Sequence, residues 1–301
     1  MTKVKGMVSP VIYGLQGLEL SESERLFFTL ANPFGYILFK RNIDTPQQLK
    51  ALVASLKSLN KHAKVEILID QEGGRVARLK PPHFGAYPSM EELITNTTDP
   101  KQAIEDNFLK LGLELATYGI TINCAPVLDL RIEGADDIIG DRSFGSDPFV
   151  VASLAQAAIT GLARAHVGSI IKHIPGHGRA LVDSHLHLPI VKESLEVLAA
   201  TDFAAFKLVA PYAKYAMTAH ITYEAIDPDA PATLSKKVIS YIREVIGFKG
   251  IIMTDDLSMK ALDSSFRDRV HKSLRAGCNL ILHCNGNMAE MQEIQAAILA
   301  Y

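Results

Sequence analysis

Short runs of apolar residues alternate with longer mixed segments along almost the whole chain. Continuous apolar runs bounded by Gly, Pro, Asn or Asp are typical of strands that are buried on both faces of a sheet. Such runs predict strands at residues 11–14, 35–39, 65–69, 121–128, 168–171, 215–219, 250–254 and 280–282.

The segments between these runs carry the spacing and the end signals of amphipathic helices. Ser21 and Glu24 predict a capping box at the start of a helix that reaches residue 31. The next helix has apolar residues every three or four positions, at Leu49, Leu52, Val53, Leu56 and Leu59. Further helices are predicted at 101–118, 147–166, 193–209 and 235–246, in a segment that reaches 275, and from 288 onward.

Regular alternation of strands and helices predicts an α/β fold with a parallel sheet. Because the alternation is not interrupted, we predict a single (β/α)8 TIM-type barrel that takes up residues 1–301 as one domain. The alternative is an open, doubly wound sheet, but no Gly-x-Gly-x-x-Gly segment follows a predicted strand.

Composition limits the partners and the compartment. A net charge of −2 gives no electrostatic reason to expect nucleic acid or an anionic membrane as a partner. Residues 1–10 lack the apolar core of a signal peptide, and the uncharged run 148–163 is short for a membrane span. The cysteines are few and without paired spacing, at Cys124, Cys278 and Cys284. We therefore expect reduced thiols, a cytoplasmic location and no membrane contact. A monomer is our working expectation, which the sequence does not itself establish.

Ionisable residues follow the predicted strands repeatedly at the same end. They are Asp70, Asp129, Lys172, His173, His220, Asp255 and Asp256. In a barrel the carboxyl ends of the strands meet at one face, which is where such enzymes place their chemistry. The pattern predicts a polar pocket there, with Asp129 supporting it and His220 either supporting it or purely structural.

The fifth predicted strand leads into a loop rich in histidine and glycine. Lys172 and His173 continue as Ile-Pro-Gly-His-Gly, and Asp183 and His185 follow. The residues alone allow an exposed loop, a metal site or a catalytic loop. The candidate metal ligands are His173, His177, His185 and His187. Their spacing matches neither His-Glu-x-x-His nor a Cys/His zinc pattern, so we expect no metal and no cofactor.

This Lys-His-Ile-Pro-Gly-His-Gly segment, followed by Asp-Ser-His, resembles the signature of bacterial family 3 glycoside hydrolases. More narrowly, it is similar to the NagZ-type β-N-acetylglucosaminidases of that family. The similar segments extend from Asp70 to Met259. The resemblance implies that Lys172 and His173 bind a sugar.

Two earlier segments are also similar to the family. Residues 70–76 read Asp-Gln-Glu-Gly-Gly-Arg-Val, and residues 142–145 read Arg-Ser-Phe-Gly. Without the resemblance they would be a tight turn and the flank of a helix. The resemblance implies that Asp70, Arg78 and Arg142 bind sugar hydroxyls, which both donate and accept hydrogen bonds.

The segment Thr-Asp-Asp-Leu-Ser-Met after the seventh strand resembles the nucleophile segment of the family. That resemblance implies Asp255 as the nucleophile and leaves Asp256 to the turn. The alternative is that either aspartate merely caps the following helix.

Glycosidases ordinarily use a second carboxyl group as acid/base, and no glutamate stands at a strand end for that role. Asp183 and His185 are two residues apart and project to the same side of an extended loop, so the aspartate can orient the imidazole. The resemblance implies the same His/Asp dyad as acid/base. The alternative is that this pair only holds the loop in place.

We therefore predict a retaining exo-β-N-acetylglucosaminidase that releases GlcNAc from the non-reducing end of peptidoglycan fragments. The resemblance implies a small muropeptide substrate, GlcNAc-anhydro-MurNAc peptides. The alternatives are a β-glucosidase or phosphorylase of the same family, a metal-dependent hydrolase on the same barrel, or a catalytically silent sugar-binding protein.

Overall fold

The computed structural model describes residues 8–60, 64–180 and 188–301. Within them, parallel strands close into a barrel. These are Ser9–Gly14 (β1), Pro33–Leu38 (β2), Glu66–Ile69 (β3), Ile122–Asn123 (β4), Gly168–Ile174 (β5), Tyr215–Thr218 (β7), Ile251–Asp256 (β9) and Leu280–His283 (β10). Two short strands, Ile190–Val191 (β6) and Thr222–Tyr223 (β8), pair with each other outside the barrel.

Pairing between the first and last strands closes the sheet. Val11 of β1 is in register with Ile281 of β10, and Ile12 of the same strand is in register with Gly35 of β2. An open sheet would leave these strands at its edges, so the prediction of a (β/α)8 barrel is confirmed and the doubly wound alternative is wrong.

Helices surround the barrel. They are Glu22–Ala31 (α1), Pro46–Leu59 (α2), Met90–Thr95 (α3), Pro100–Thr117 (α4), Pro148–Arg164 (α5), Leu195–Ala200 (α6), Asp202–Val209 (α7), Lys236–Tyr241 (α8), Phe266–Ala276 (α9) and Met288–Ala300 (α10). The predicted capping box is present, because Ser21 Oγ accepts from Glu24 N while the Glu24 carboxylate accepts from Ser21 N. Among the described residues, no helix is both long and apolar enough to cross a membrane.

Two predicted elements are shortened or divided in the structure, and strands β5 and β9 run further than predicted, to Ile174 and to Asp256. Strand four was predicted over 121–128, but it is regular only at Ile122–Asn123, because Pro126 has no N–H to donate to a ladder.

The helix predicted over 193–209 is divided at Thr201, where φ is −120° and ψ is −94°. Arg179 donates to Thr201 Oγ1 and to Asp202 Oδ2, so side-chain contacts hold the chain at this break.

The alternation of side chains along each strand separates two apolar layers. In β1, Ile12 faces the barrel interior, while Val11 and Tyr13 pack towards the helices. The interior layer also contains Met217, which lies in the floor of the cavity described below. Apolar packing inside the barrel therefore supports the polar face at the carboxyl ends of the strands.

Candidate active site

A cavity of about 240 Å³ opens at the carboxyl ends of the barrel strands. Six residues predicted from the sequence line it, namely Asp70, Arg78, Arg142, Lys172, His173 and Asp255. Its volume is below the ~300–1,000 Å³ of pockets for drug-sized ligands, so it suits one small ligand. The predicted acid/base pair, Asp183 and His185, lies outside the described residues.

Lys172 joins two carboxylates at the centre of this cavity. Its Nζ lies 2.9 Å from Asp70 Oδ1 and 2.5 Å from Glu72 Oε1. The lysine stands on β5, and both carboxylates stand in the loop that follows β3. Because Lys172 is only 2% exposed, water screens these interactions little. The lysine thus fixes the β3 loop against the end of β5.

Arg142 is the second cation that holds Glu72. Its Nε and Nη2 donate to the two oxygens of Glu72 at 2.7 and 2.9 Å, a bidentate geometry that fixes the guanidinium plane. Arg75 bonds Asp141 and the carbonyl of Ile138 instead, which anchors the loop that carries Arg142. Glu72 and Arg75 therefore hold these loops in place.

These ion pairs set the protonation of the carboxylates. Burial alone would raise the pKa of Asp70 and Glu72, but the nearby cations outweigh it and hold both pKa values below the ordinary range. Lys172 and Arg78 act on Asp70, and Arg142 and Lys172 act on Glu72. Burial would lower the pKa of Lys172, yet the two carboxylates raise it above its usual value. All three groups are charged at neutral pH.

Arg78 is held by one carboxylate and one aromatic ring. Its Nη2 lies 3.3 Å from Asp70 Oδ2, and its guanidinium carbon lies 5.3 Å from the centre of the Phe39 ring. Arg41 lies over the same ring at 4.9 Å. Phe39 follows β2, and its stacking fixes Arg78 through a cation–π contact.

Asp129 is completely buried beneath the loop that follows β5. It accepts hydrogen bonds from the backbone N–H groups of His173 and His177, and His173 Nδ1 lies 2.6 Å from its Oδ2. Because the carboxylate accepts here, the Nδ1 nitrogen of His173 carries the proton. Gly178 lets this loop pack closely, since an added Cβ would lie 2.2 Å from the Leu130 carbonyl oxygen.

The two neighbouring aspartates at the end of β9 have different surroundings. The carboxylate of Asp256 accepts from Ser258 N at 2.9 Å, from Ser258 Oγ at 2.6 Å and from Cys284 N at 3.1 Å, so it organises the turn. Both aspartates line the cavity, and Asp255 Oδ1 accepts from Asp256 N at 2.8 Å. The geometry favours Asp255 over Asp256 as a reactive group.

The chain matches the glycosyl hydrolase family 3 N terminal domain over residues 13–300. It belongs to glycoside hydrolase family 3. The chain is 36% identical to the beta-hexosaminidase of Alkalilimnicola ehrlichii, over 93% of this chain and 81% of that protein. It is 37% identical to the beta-hexosaminidase of Tolumonas auensis, over 92% of this chain and 83% of that protein.

Solved structures of the family share the fold. NagZ from Neisseria gonorrhoeae superposes with a TM-score of 0.88 and 35% identity, over 96% of this chain and 85% of that one. A family 3 beta-N-acetylglucosaminidase from a Paenibacillus species gives a TM-score of 0.91 and 32% identity, over 97% of this chain. This chain spans 56% of that longer one. The predicted family membership and glycoside hydrolase class are therefore confirmed.

Several residues that shape this family 3 site were not predicted from the sequence. In the sequence, Phe39 is the last apolar residue of a predicted strand. Only its position at the carboxyl end of that strand indicates that it lies at the site. His177, also in the cavity wall, had been considered only as a metal ligand. Within the described part of the chain, no cluster of three or more His, Cys, Asp or Glu side chains is arranged to hold a metal ion. His185 and His187 lie outside that part, so the expectation of a metal-free site stays a prediction.

Two buried histidines should make the hydrolase less stable in mild acid. Burial, followed by repulsion from His173, lowers the pKa of His177 from 6.5 to about 4, and burial lowers the pKa of His220 in the same direction. Between pH 4 and 6.5 the unfolded chain then binds more protons than the folded one, so the free energy of unfolding falls as the pH is lowered through this window. For His177 the loss is on the order of 3 kcal/mol.

Urea unfolding at pH 7, 5.5 and 4.5 measures this dependence. We expect His177→Gln to flatten the decline, because that variant removes one proton-binding group from the unfolded state. His83 is exposed, and His83→Gln is the control that should leave the decline unchanged. A decline as steep in His177→Gln as in the parent protein would contradict the assignment.

Proposed function

We propose that this chain is a retaining exo-β-N-acetylhexosaminidase that removes a terminal β-linked GlcNAc through a covalent glycosyl-Asp255 intermediate. The observation that carries the proposal is the position of Asp255. Like Asp256, it lies in the wall of a small cavity whose other charged residues suit a sugar, but the Asp256 carboxylate is committed to a turn. Relatives named beta-hexosaminidase and the likeness to NagZ support the choice of sugar.

In this proposal a carboxylate accepts hydrogen bonds from the sugar, and the cations donate hydrogen bonds to it. Asp70 accepts hydrogen bonds from sugar hydroxyls, and Arg78, Lys172 and Arg142 donate to them. Each of these groups is already fixed by an ion pair, so little side-chain freedom is lost when the sugar binds. The sugar is held with its anomeric carbon towards Asp255, which attacks it and forms the ester.

Departure of the aglycone requires a proton donor. Asp70 and Glu72 are unsuited to this role because the cations beside them keep both ionised, and His177 is neutral at pH 7. We propose that His185, oriented by Asp183, is the acid, as the resemblance to the family implies. The same imidazole, once deprotonated, accepts a proton from the water that hydrolyses the ester, which balances the two steps.

The proposed natural substrate is a peptidoglycan fragment, GlcNAc-anhydro-MurNAc peptide, acted on in the cytoplasm. The likeness to NagZ and a cavity sized for one small ligand support it. A cavity of that size suits an exo-acting enzyme, because the rest of the substrate stays outside.

Nitrophenyl glycosides provide the direct test of this function. The purified protein should hydrolyse nitrophenyl β-GlcNAc far faster than nitrophenyl β-glucoside, at a rate that does not depend on phosphate. Proton NMR should show the β-anomer of GlcNAc as the first product, which establishes retention. Preference for the glucoside, or a sugar 1-phosphate formed only in the presence of phosphate, would replace the proposal with a β-glucosidase or a phosphorylase.

The acid role of His185 predicts a dependence on the leaving group. A sugar alkoxide must be protonated as the bond breaks, whereas a nitrophenolate leaves nearly unaided. His185→Ala should therefore lower kcat/KM severely for a GlcNAc disaccharide and much less for nitrophenyl β-GlcNAc. Asp183→Ala should show the same selectivity in weaker form. Equal losses of kcat/KM for both substrates would indicate that His185 only holds the loop.

A further inference from the structure

A closed ring of hydrogen bonds surrounds the backbone at Asp255 and Asp256. Asp255 N lies 3.3 Å from Thr218 Oγ1, which lies 2.7 Å from Thr233 Oγ1. That hydroxyl lies 2.7 Å from His220 Nδ1, and His220 Nε2 lies 3.0 Å from the carbonyl oxygen of Asp256. Side chains from the end of β7, from the segment after it and from the turn Ala232–Leu234 thus meet at the end of β9.

The chemistry of the groups gives the ring one direction. A carbonyl oxygen only accepts, so His220 Nε2 carries the imidazole proton. Burial lowers the pKa of His220, so the ring is neutral and its Nδ1 accepts. Thr233 must then donate to Nδ1, even though its hydroxyl also lies 3.1 Å from the Ala219 carbonyl. Thr218 consequently donates to Thr233 and accepts from the N–H of Asp255.

Burial requires every polar group in this ring to have a hydrogen-bond partner. All three residues that contribute side chains to the ring, Thr218, Thr233 and His220, are 0% exposed. A buried hydroxyl left without a partner costs roughly 1–3 kcal/mol, so each member depends on the next. Apolar packing alone would be served as well by valine, which has nearly the shape of threonine. The hydroxyls of Thr218 and Thr233 therefore act by completing the hydrogen bonds that hold the backbone at Asp255 and Asp256.

That backbone is the part of β9 that aims Asp255. The ring holds the N–H of Asp255 and the carbonyl of Asp256, and the peptide N–H between them donates to Asp255 Oδ1. A shift of either peptide would move the carboxylate relative to a bound sugar. Misplacement by about 1 Å can reduce the rate of a reaction on the order of 100-fold.

We propose that Thr218, Thr233 and His220 are positioning residues that aim the Asp255 carboxylate at the anomeric carbon. This inference rests on the proposed role of Asp255 as nucleophile. The three residues lie below the sugar-binding groups and do not replace any of them. Their loss should therefore slow formation of the glycosyl ester and leave sugar binding intact.

The rate of covalent trapping by a fluorinated, activated GlcNAc analogue tests the proposal. Thr218→Val and Thr233→Val should each trap about 10–100-fold more slowly than the parent protein. The dissociation constant for free GlcNAc, measured by calorimetry, should stay within about threefold, which is under 1 kcal/mol. Thr218→Ser, which keeps the hydroxyl, should trap at close to the parental rate. The double Thr→Val variant should be little slower than either single one, because one break already opens the ring.

Thr121→Val is the matched control. Thr121 Oγ1 accepts from a strand N–H, that of Ile67 at 2.8 Å, but at the amino end of the barrel. This variant should trap at the parental rate. Parental trapping by both Thr218→Val and Thr233→Val would overturn the positioning role, as would equal slowing in Thr121→Val. Absence of label on Asp255 in the parent protein would instead remove the proposed nucleophile.

Discussion

Asp255→Asn should fold normally and lose turnover of nitrophenyl β-GlcNAc by about a thousandfold or more. An amide cannot attack the anomeric carbon, and loss of a covalent nucleophile has effects of at least this order. The substitution keeps the size of the side chain and the Oδ1 atom that accepts from Asp256 N. Circular dichroism should therefore be unchanged. Steady-state kinetics measure the loss, and peptide mass spectrometry of the trapped parent enzyme should locate the sugar on Asp255.

Azide separates the nucleophile from the acid/base. Asp255→Ala leaves space in which azide can attack directly, so turnover should recover with formation of the α-glycosyl azide. In His185→Ala the ester still forms and azide then attacks it, which gives the β-glycosyl azide. Asp256→Asn is the neighbouring control, and it should yield no azide product. A covalent label on Asp256, or recovery by azide in Asp256→Ala, would reverse the assignment of the two aspartates.

Lys172→Ala should lower the free energy of unfolding by about 3 kcal/mol or more at pH 7. Removal of one partner from a buried ion-pair network is strongly destabilising, because each remaining charge loses a contact in a place that water screens little. Of the described cations, Asp70 then keeps only Arg78 and Glu72 keeps only Arg142. Here Asp70 and Glu72 both lose their 2.9 and 2.5 Å contacts with Nζ. Urea unfolding monitored by circular dichroism gives the value.

The dependence of this loss on pH identifies its cause. In the parent protein the lowered pKa values of Asp70 and Glu72 contribute stability that is present at neutral pH and lost as the pH falls through them. In Lys172→Ala these carboxylates accept protons more readily, so the two stability curves should begin to converge only as the pH falls below the ordinary carboxyl range, from about pH 4 downward. A loss under about 1 kcal/mol, equal at all pH values, would show that the pairs contribute little.

The sequence predicts the barrel and the positions of the candidate residues well because both follow from local patterns. Apolar runs locate the strands, and a residue such as Asp70 or Asp255 is placed at the site by standing at a strand end. The predicted extent of a strand was wrong where a second local signal opposed the apolar pattern. At Pro126 the missing N–H ends a run that hydrophobicity alone would continue.

Partnerships between distant segments could not be predicted in this way. Arg142 forms an ion pair with Glu72, which is 70 residues away in the sequence. Lys172 forms one with Asp70, which is 102 residues away. Thr233 stands in a turn without a distinctive motif, and only folding brings its hydroxyl to His220. The Asp183/His185 dyad, which lies outside the described residues, stays a prediction.

Because β10 pairs with β1, the barrel of a chain leaving the ribosome stays open until residue 283 has emerged. Until then β1 and β9 present unpaired edges, and Asp255 stands on one of them. Such edges readily pair with other chains, so translation products that stop before β10 should aggregate rather than accumulate as partly active enzyme. The hydrolase thus acquires its pocket late in synthesis.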